Sequence, residues 1–381
     1  MRVSRLAISG VEAGLVTDEA PRIAFALESE VPGEALAQAT VRVGDWQTVT
    51  GEQVGIAYTG ALAPHTEYVV HVTATGTSGA VAEATTSFRT GRLTTPWRAK
   101  WITDASYRTP KVESPVPMVF RRRFPAAAPV ARAWIEATAL GIYQLELNGQ
   151  KVGDQYFAPG FTSYTRQLQY QSYDVTDLVG AANELVATVG GGWAVGSFSH
   201  KRKNRNFADR QALLAELHVE YADGRREVIA TDEGWDVATD GPFRMAEWYD
   251  GETFDATVSL DDATWTRAAV TRPGLKPEIS AQYGPSVRVQ RVLKPVSQTV
   301  SPSGELLYDF GQNFAGVVRA RLRGTHGQTV VFRHAEVLVD DELFVKSLRT
   351  AKPTATYTCV DGELEYSPRL TYMGFRYAGV R

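Results

Sequence analysis

An all-β protein built of several sandwich domains is the fold that this 381-residue sequence predicts, and three observations predict it. Apolar residues alternate with polar ones over short segments, which is the period of a strand with one buried face. Thirty-three glycines and eighteen prolines break the chain into strand-length pieces, as the turns of a sandwich do. No segment carries the sustained apolar stripe, at three-and-four spacing, that an amphipathic helix needs.

Taken in chain order, Ile23, Phe25 and Leu27 share one face of a first strand, and Tyr68, Val70 and Val72 share one face of a second. Tyr143, Leu145 and Leu147 oppose Gln144 and Glu146, and Asn148-Gly149 closes that strand with a turn pair that tolerates positive φ. From Leu213 the residues Leu213, Ala215, Leu217, Val219 and Tyr221 point one way while Glu216, His218 and Glu220 point the other. Asp223-Gly224 then turns the chain and Glu227 to Thr231 runs back, which predicts a hairpin.

Two turn-rich breaks divide the chain. The first follows Phe88-Arg89-Thr90-Gly91, and the second spans Thr271 to Pro285, where Pro273, Gly274, Pro277 and Gly284 cluster. Three consecutive β-sandwich domains are therefore expected, over residues 1–92, 93–278 and 279–381.

Composition removes several function classes. Forty Lys and Arg against forty-three Asp and Glu leave a formal charge of -3, so neither nucleic acid nor an anionic membrane is expected as a partner. The single cysteine, Cys359, excludes an intramolecular disulfide and an all-cysteine zinc site, and it reads as a small buried hydrophobe. No run approaches the length of a membrane span, and Ser4, Arg5 and Ser9 interrupt the first apolar residues before they make a signal-peptide core. A cytoplasmic location is the expectation. Gly-x-Ser-x-Gly, phosphate-loop and dinucleotide motifs are all missing from the sequence.

Leu62-Ala63-Pro64-His65-Thr66-Glu67-Tyr68 resembles the corner of a fibronectin type III-like domain, where a tyrosine hydroxyl returns to the chain upstream. Downstream stand Leu147-Asn148-Gly149-Gln150-Lys151-Val152-Gly153-Asp154, Ala158-Pro159-Gly160-Phe161-Thr162-Ser163-Tyr164 and Tyr173-Asp174-Val175-Thr176. They are followed by Tyr249-Asp250-Gly251-Glu252-Thr253-Phe254-Asp255-Ala256, Asp309-Phe310-Gly311-Gln312-Asn313, Arg333-His334-Ala335-Glu336-Val337-Leu338, Leu348-Arg349-Thr350-Ala351-Lys352 and Tyr372-Met373-Gly374-Phe375-Arg376-Tyr377. In this order they resemble the N-terminal β-domains of bacterial α-L-rhamnosidases over essentially the whole chain. The resemblance implies a galactose-binding-like jelly roll for the middle domain and a β-sandwich that packs on a barrel for the last. In that family an (α/α)6 barrel with the catalytic carboxylates follows the Gly-Phe-Arg-Tyr strand, and the enzymes invert, using one acid and one base. The expectation is that this chain lacks the barrel and its catalytic pair.

The resemblance further implies a carbohydrate site in the middle domain, which in some members binds L-rhamnose with the help of calcium. Gly190-Gly191-Gly192-Trp193 is the local signal: glycines allow a ligand close to the backbone, and an indole face stacks on a sugar. Gly191, Gly192, Trp193 and Asp209 are the expected carbohydrate contacts, against the alternative that Trp193 belongs to the core. Many relatives carry an acidic residue where Gly191 stands, so calcium is the weaker expectation and no metal ligands are assigned. The basic run Lys201-Arg202-Lys203-Asn204-Arg205 reads as a solvated loop or an anion contact, with Asp209 and Arg210 pairing locally. Asp250, Glu252 and Asp255 read as structural, Asp309 as turn chemistry, and His334 with Glu336 as two neighbours on one strand face.

The function expected is that of a non-catalytic accessory segment of an α-L-rhamnosidase, with scaffold and weak carbohydrate-binding roles. Its partners would be a rhamnose-containing carbohydrate and a catalytic barrel, supplied by the same or another chain. The alternatives are a glycosidase working through a pair among Asp250, Glu252, Asp309 and Glu336, and a scaffold that docks on a partner chain.

Overall fold

A computed structural model describes residues 1–197 and 201–381. The chain folds as β-strands and turns, and among the described residues its α-helix is a single turn, Gly192–Val195. It divides into two compact units: residues 1–97 with 279–286, and residues 98–278 with 287–381.

The first unit pairs a small sheet, ordered Arg2–Ile8, Arg22–Glu28, Ile56–Ala57, with a larger one ordered Leu15–Thr17, Val81–Thr90, Glu67–Gly76, Leu36–Val43, Trp46–Thr50. The alternation dictates what is buried, and Ile8, Ile23, Phe25, Val41, Val70, Val72 and Phe88 form the core. The Tyr68 hydroxyl accepts a 2.8 Å hydrogen bond from the Ala63 amide, the corner that its position after Leu62-Ala63-Pro64 implies.

The second unit contains the middle sandwich. One of its sheets runs Gln150–Lys151, Ile142–Leu147, Ala182–Gly190, Met118–Pro125, Asp236–Ala238, Thr266–Arg267. The facing sheet is built on Val130–Leu140, flanked by Ala212–Tyr221 and Gln167–Asp174. Asn148 and Gly149 both take positive φ, 54° and 75°, and return the chain from Leu147 to Gln150. Arg226–Ala230 pairs back on Ala212–Tyr221 through the Asp223-Gly224 turn, as the alternation requires. Between the sheets lie Ile135, Leu145, Leu147, Leu185, Leu213, Leu217 and Trp235.

A further sheet follows the order Phe243–Glu247, Gly251–Asp255, Thr354–Thr358, Thr329–Ala335, Met373–Val380, Leu306–Gly316, Ser297–Val300. The hairpin Phe243–Asp255 follows the strands of the middle sandwich and enters this sheet by pairing in parallel with Thr354–Thr358. Phe332, Tyr357, Tyr366, Phe375 and the fully buried Cys359 make its core. Asp309-Phe310-Gly311-Gln312-Asn313 forms an irregularity in the Leu306–Gly316 strand, where the register on Met373–Val380 shifts between Asp309 and Phe314. Asp309 accepts from the Gly311 amide at 2.7 Å and from Arg376 through both oxygens at 2.8 Å. Its carboxyl therefore lies below the usual range, with the Arg376 hydrogen bond as the leading cause.

Candidate functional site

The strand Ala182–Gly190 delivers the chain into the Gly192–Val195 turn. Gly192 takes φ 53°, and a Cβ there would lie 2.7 Å from the Ile142 side chain and 2.8 Å from its amide nitrogen, so only glycine fits. The next residue, Trp193, is partly buried and packs on a small cluster with Ile142, Phe243, Ala246 and Leu370. It is neither a core tryptophan nor a free one.

Trp193 is one ring of a longer strip. Its centroid lies 4.3 Å from that of Trp248 and 5.9 Å from that of Phe161, a residue 58 % exposed. Trp248 continues the strip to Phe157 at 4.7 Å and to Tyr372 at 5.2 Å. Phe157, Phe161 and Trp193 belong to the segment between Ile142 and Ala212, Trp248 to the turn of the hairpin Phe243–Asp255, and Tyr372 directly precedes the strand Met373–Val380.

Beside the turn lies Glu247, the last residue of strand Phe243–Glu247 and only 1 % exposed. Its carboxyl accepts from the amides of Ser197 at 3.1 Å and Trp248 at 2.8 Å, and a Cβ at Gly191 would come within 3.0 Å of it. Burial pushes Glu247 up to about 8, against the pull of the two amides and of Arg202; Asp250 adds to the rise. Burial thus biases the carboxyl towards its neutral form. It occupies the space beside Gly191, where an acidic side chain would otherwise reach.

Asp209 stands on a neighbouring segment, tethered to the turn because the Phe207 and Ala208 amides donate to the Ala194 carbonyl at 3.0 and 3.1 Å. Its carboxylate is exposed and engaged by Arg210 at 3.3 Å and by Arg108 at 3.9 Å. The structure therefore brings Gly191, Gly192 and Trp193 together, while the Asp209 carboxylate serves an arginine pair. Calcium needs several oxygen ligands. Glu247, with both oxygens committed to backbone amides, and Asp209, held by arginines, do not supply them, so the described residues here do not fit that ion.

The remaining polar motifs are tied into the fold. Asp250 forms a two-pronged ion pair with Arg202 and accepts from the Ser114 hydroxyl. Burial opposes its ionisation, but those hydrogen bonds win and hold its carboxyl below the usual range. Glu252 is fully buried and accepts from the Arg369 and Leu370 amides at 2.9 Å and from the Tyr366 hydroxyl at 3.1 Å. Asp255 bonds the amide and hydroxyl of Thr257. His334 and Glu336 do not meet. The buried His334 ring bonds the Pro353 carbonyl at 2.9 Å, and Glu336 accepts from Asn313 at 3.2 Å. Arg205 and Asn204 bind the carbonyls of the segment from Thr109 to Glu113, so the basic run is a docked loop.

Sequence reasoning missed Glu247, Trp248, Phe161, Phe157 and Tyr372. The available signal was Glu247-Trp248 at the end of an alternating strand, directly ahead of the Tyr249-Asp250-Gly251 motif.

Residues 128–291 match the family described as the alpha-L-rhamnosidase N-terminal domain, and residues 299–381 match the bacterial alpha-L-rhamnosidase concanavalin-like domain. An alpha-L-rhamnosidase of Streptomyces avermitilis is 41% identical over 262 residues, which cover 66% of this chain and 25% of that protein. One from Formosa agariphila is 30% identical over 74% of this chain and 32% of its own length. The crystal structure of an α-L-rhamnosidase from Aspergillus terreus superposes on the whole chain with a TM-score of 0.91 at 30% identity, using 46% of that structure. That of a Streptomyces avermitilis enzyme complexed with L-rhamnose gives 0.88 at 26% identity, over 100% of this chain and 56% of that one. The chain belongs to the bacterial α-L-rhamnosidase family and corresponds to its N-terminal β-domains. It spans about a quarter to a third of the length of the curated relatives it matches.

Proposed function

We propose that the chain is an accessory β-segment of an enzyme that releases terminal α-L-rhamnosyl groups, and that its middle domain holds a rhamnosyl unit on the Trp193–Phe161 face. The observation that carries the reading is the placement of Trp193, partly buried between Trp248 and the exposed Phe161 beside a turn of glycines. A 6-deoxy sugar has an apolar face and a methyl group, which suit a ring platform better than they suit a charged pocket. The relative crystallised with L-rhamnose supports the sugar class. Asp209 would contribute at the edge through its arginine-held carboxylate. A catalytic barrel, in the same or a partner chain, completes the proposed enzyme, and a cytoplasmic location belongs to the same proposal, checked by cell fractionation.

Titration with L-rhamnose, followed by tryptophan fluorescence, tests the platform. Saturable quenching is expected, and Trp193→Ala should weaken it by at least about tenfold, equivalent to ~1.4 kcal/mol. A chelator should leave the titration unchanged, because no calcium ligands converge here. Rhamnose binding that survives Trp193→Ala intact, or no binding at all, overturns the platform. The accessory role is tested separately with an aryl α-L-rhamnoside: concentrated protein should release no phenol above buffer. Turnover that co-purifies with the chain would return catalysis to Asp250, Glu252, Asp309 or Glu336.

A further inference from the structure

Two residues past Trp248 the chain borders a second concavity. A cleft of about 690 Å³ is lined by Glu113, Ser114, Arg202, Asp250, Thr253 and Lys352, among others. A hollow of about 350 Å³ shares Asp250, Thr253 and Lys352 with it and adds Arg333.

The charges of the lining are already sorted. Asp250, with 6% of its side chain exposed, is neutralised by Arg202, whose guanidinium also donates to the Thr350 carbonyl at 3.1 Å. Arg333 is paired with the buried Glu305 at 2.9 Å. Lys352 is different. Its ammonium has no ion pair or hydrogen bond among the described residues, and it acts on Asp250 only through space. Its backbone is nevertheless fixed, because its amide donates to the Tyr249 carbonyl at 2.7 Å and the next carbonyl, of Pro353, receives both the amide and the ring of His334. Lys346 and Arg349, exposed on the same segment, add positive charge, and the exposed Glu113 is the opposing charge in the lining.

We propose that this cleft binds an acidic unit of a saccharide, a sugar bearing a carboxylate or a sulfate. Lys352 takes the anionic oxygens, while the Asp250–Arg202 pair and the Thr253 hydroxyl take ring hydroxyls. The paired charges and hydroxyls of the lining offer hydrogen-bond partners to a polyhydroxylated ligand, Val112 and Met245 offer an apolar flank to the C–H face of its ring, and an unpaired ammonium on a fixed backbone gives it a place to put one negative charge. The proposal is independent of rhamnose binding at Trp193.

Calorimetric titration tests it, with methyl β-D-glucuronide, glucose 6-sulfate, methyl β-D-glucoside and inorganic sulfate as the probes. One of the two acidic sugars should bind at least about tenfold more tightly than the neutral glucoside, and Lys352→Met should remove that preference. Trp193→Ala should leave it unchanged, so failure of the rhamnose reading is scored separately. Lys352 is exposed, and an unaltered circular dichroism spectrum of the variant shows that its fold is kept. Equal binding of acidic and neutral sugars, inorganic sulfate as tight as the sulfated sugar, no binding, or a preference that survives Lys352→Met each overturns the proposal.

Discussion

Glu247 and His334 are both buried in the second unit, and their ionisation is pushed in opposite senses. Glu247 is raised to about 8 by burial, so the folded protein keeps a proton that the unfolded chain has lost above its ordinary value of 4.5. The stability this contributes is complete below pH 4.5 and is lost as the pH climbs to about 8. His334 is lowered to about 4 by burial, the Pro353 carbonyl opposing. Its contribution is complete above 6.5 and is lost as the pH falls to about 4. Melting temperature should therefore be highest between about pH 5 and 6.5 and fall towards pH 8. Glu247→Gln should flatten the alkaline side, whose slope is at most about 1.4 kcal/mol per pH unit. Thermal scans of the two proteins from pH 5 to 8 check this, and parallel profiles would remove Glu247 as the cause. Trp193 was legible because three glycines precede it. Glu247 was not, because its character depends on amides at Ser197 and Trp248 and on a burial that no local pattern shows.

Strands were the most legible elements. Alternation alone located the faces of Ile142–Leu147 and Ala212–Tyr221, and the pairs Asn148-Gly149 and Asp223-Gly224 turned where glycine permits it. Acidic motifs were legible as structural but not in their partners. Glu252 joins the hairpin Phe243–Asp255 to the segment Tyr366–Leu370, satisfying two amides and a hydroxyl at once. Glu252→Ala would strand three donors in the interior and should cost about 3 kcal/mol or more. Asp309→Ala loses a pair whose Arg376 side is 40% exposed, and should cost only about 1 kcal/mol. Urea midpoints of the two variants give the comparison. A smaller loss for Glu252→Ala than for Asp309→Ala would contradict this account of the hairpin.

For the molecule as a whole, the prominent surface feature is the run from Val287 to Val300. Val287, Val289, Val292, Val296 and Val300 are 55 to 70% exposed, and Ser297–Val300, exposed at every residue, edges its sheet. An uncovered edge with apolar side chains associates with other chains. The purified protein should therefore show a sedimentation coefficient that rises with concentration, and Val296→Lys with Val300→Lys should suppress the rise. Strictly monomeric wild-type behaviour at high concentration would contradict it. Sandwich architecture was readable from turn spacing, whereas the joining of Gly251–Asp255 to Thr354–Thr358 was not, since alternation carries no information about a distant partner.

That parallel pairing also sets an order of events during synthesis. Glu252 meets Ala355 only after about a hundred further residues have left the ribosome. Until then the aromatic strip lacks Tyr372 and the hairpin Phe243–Asp255 has one bare edge. Translation pauses ahead of residue 355 would lengthen the life of that bare edge. The middle of this protein is made early and finished late.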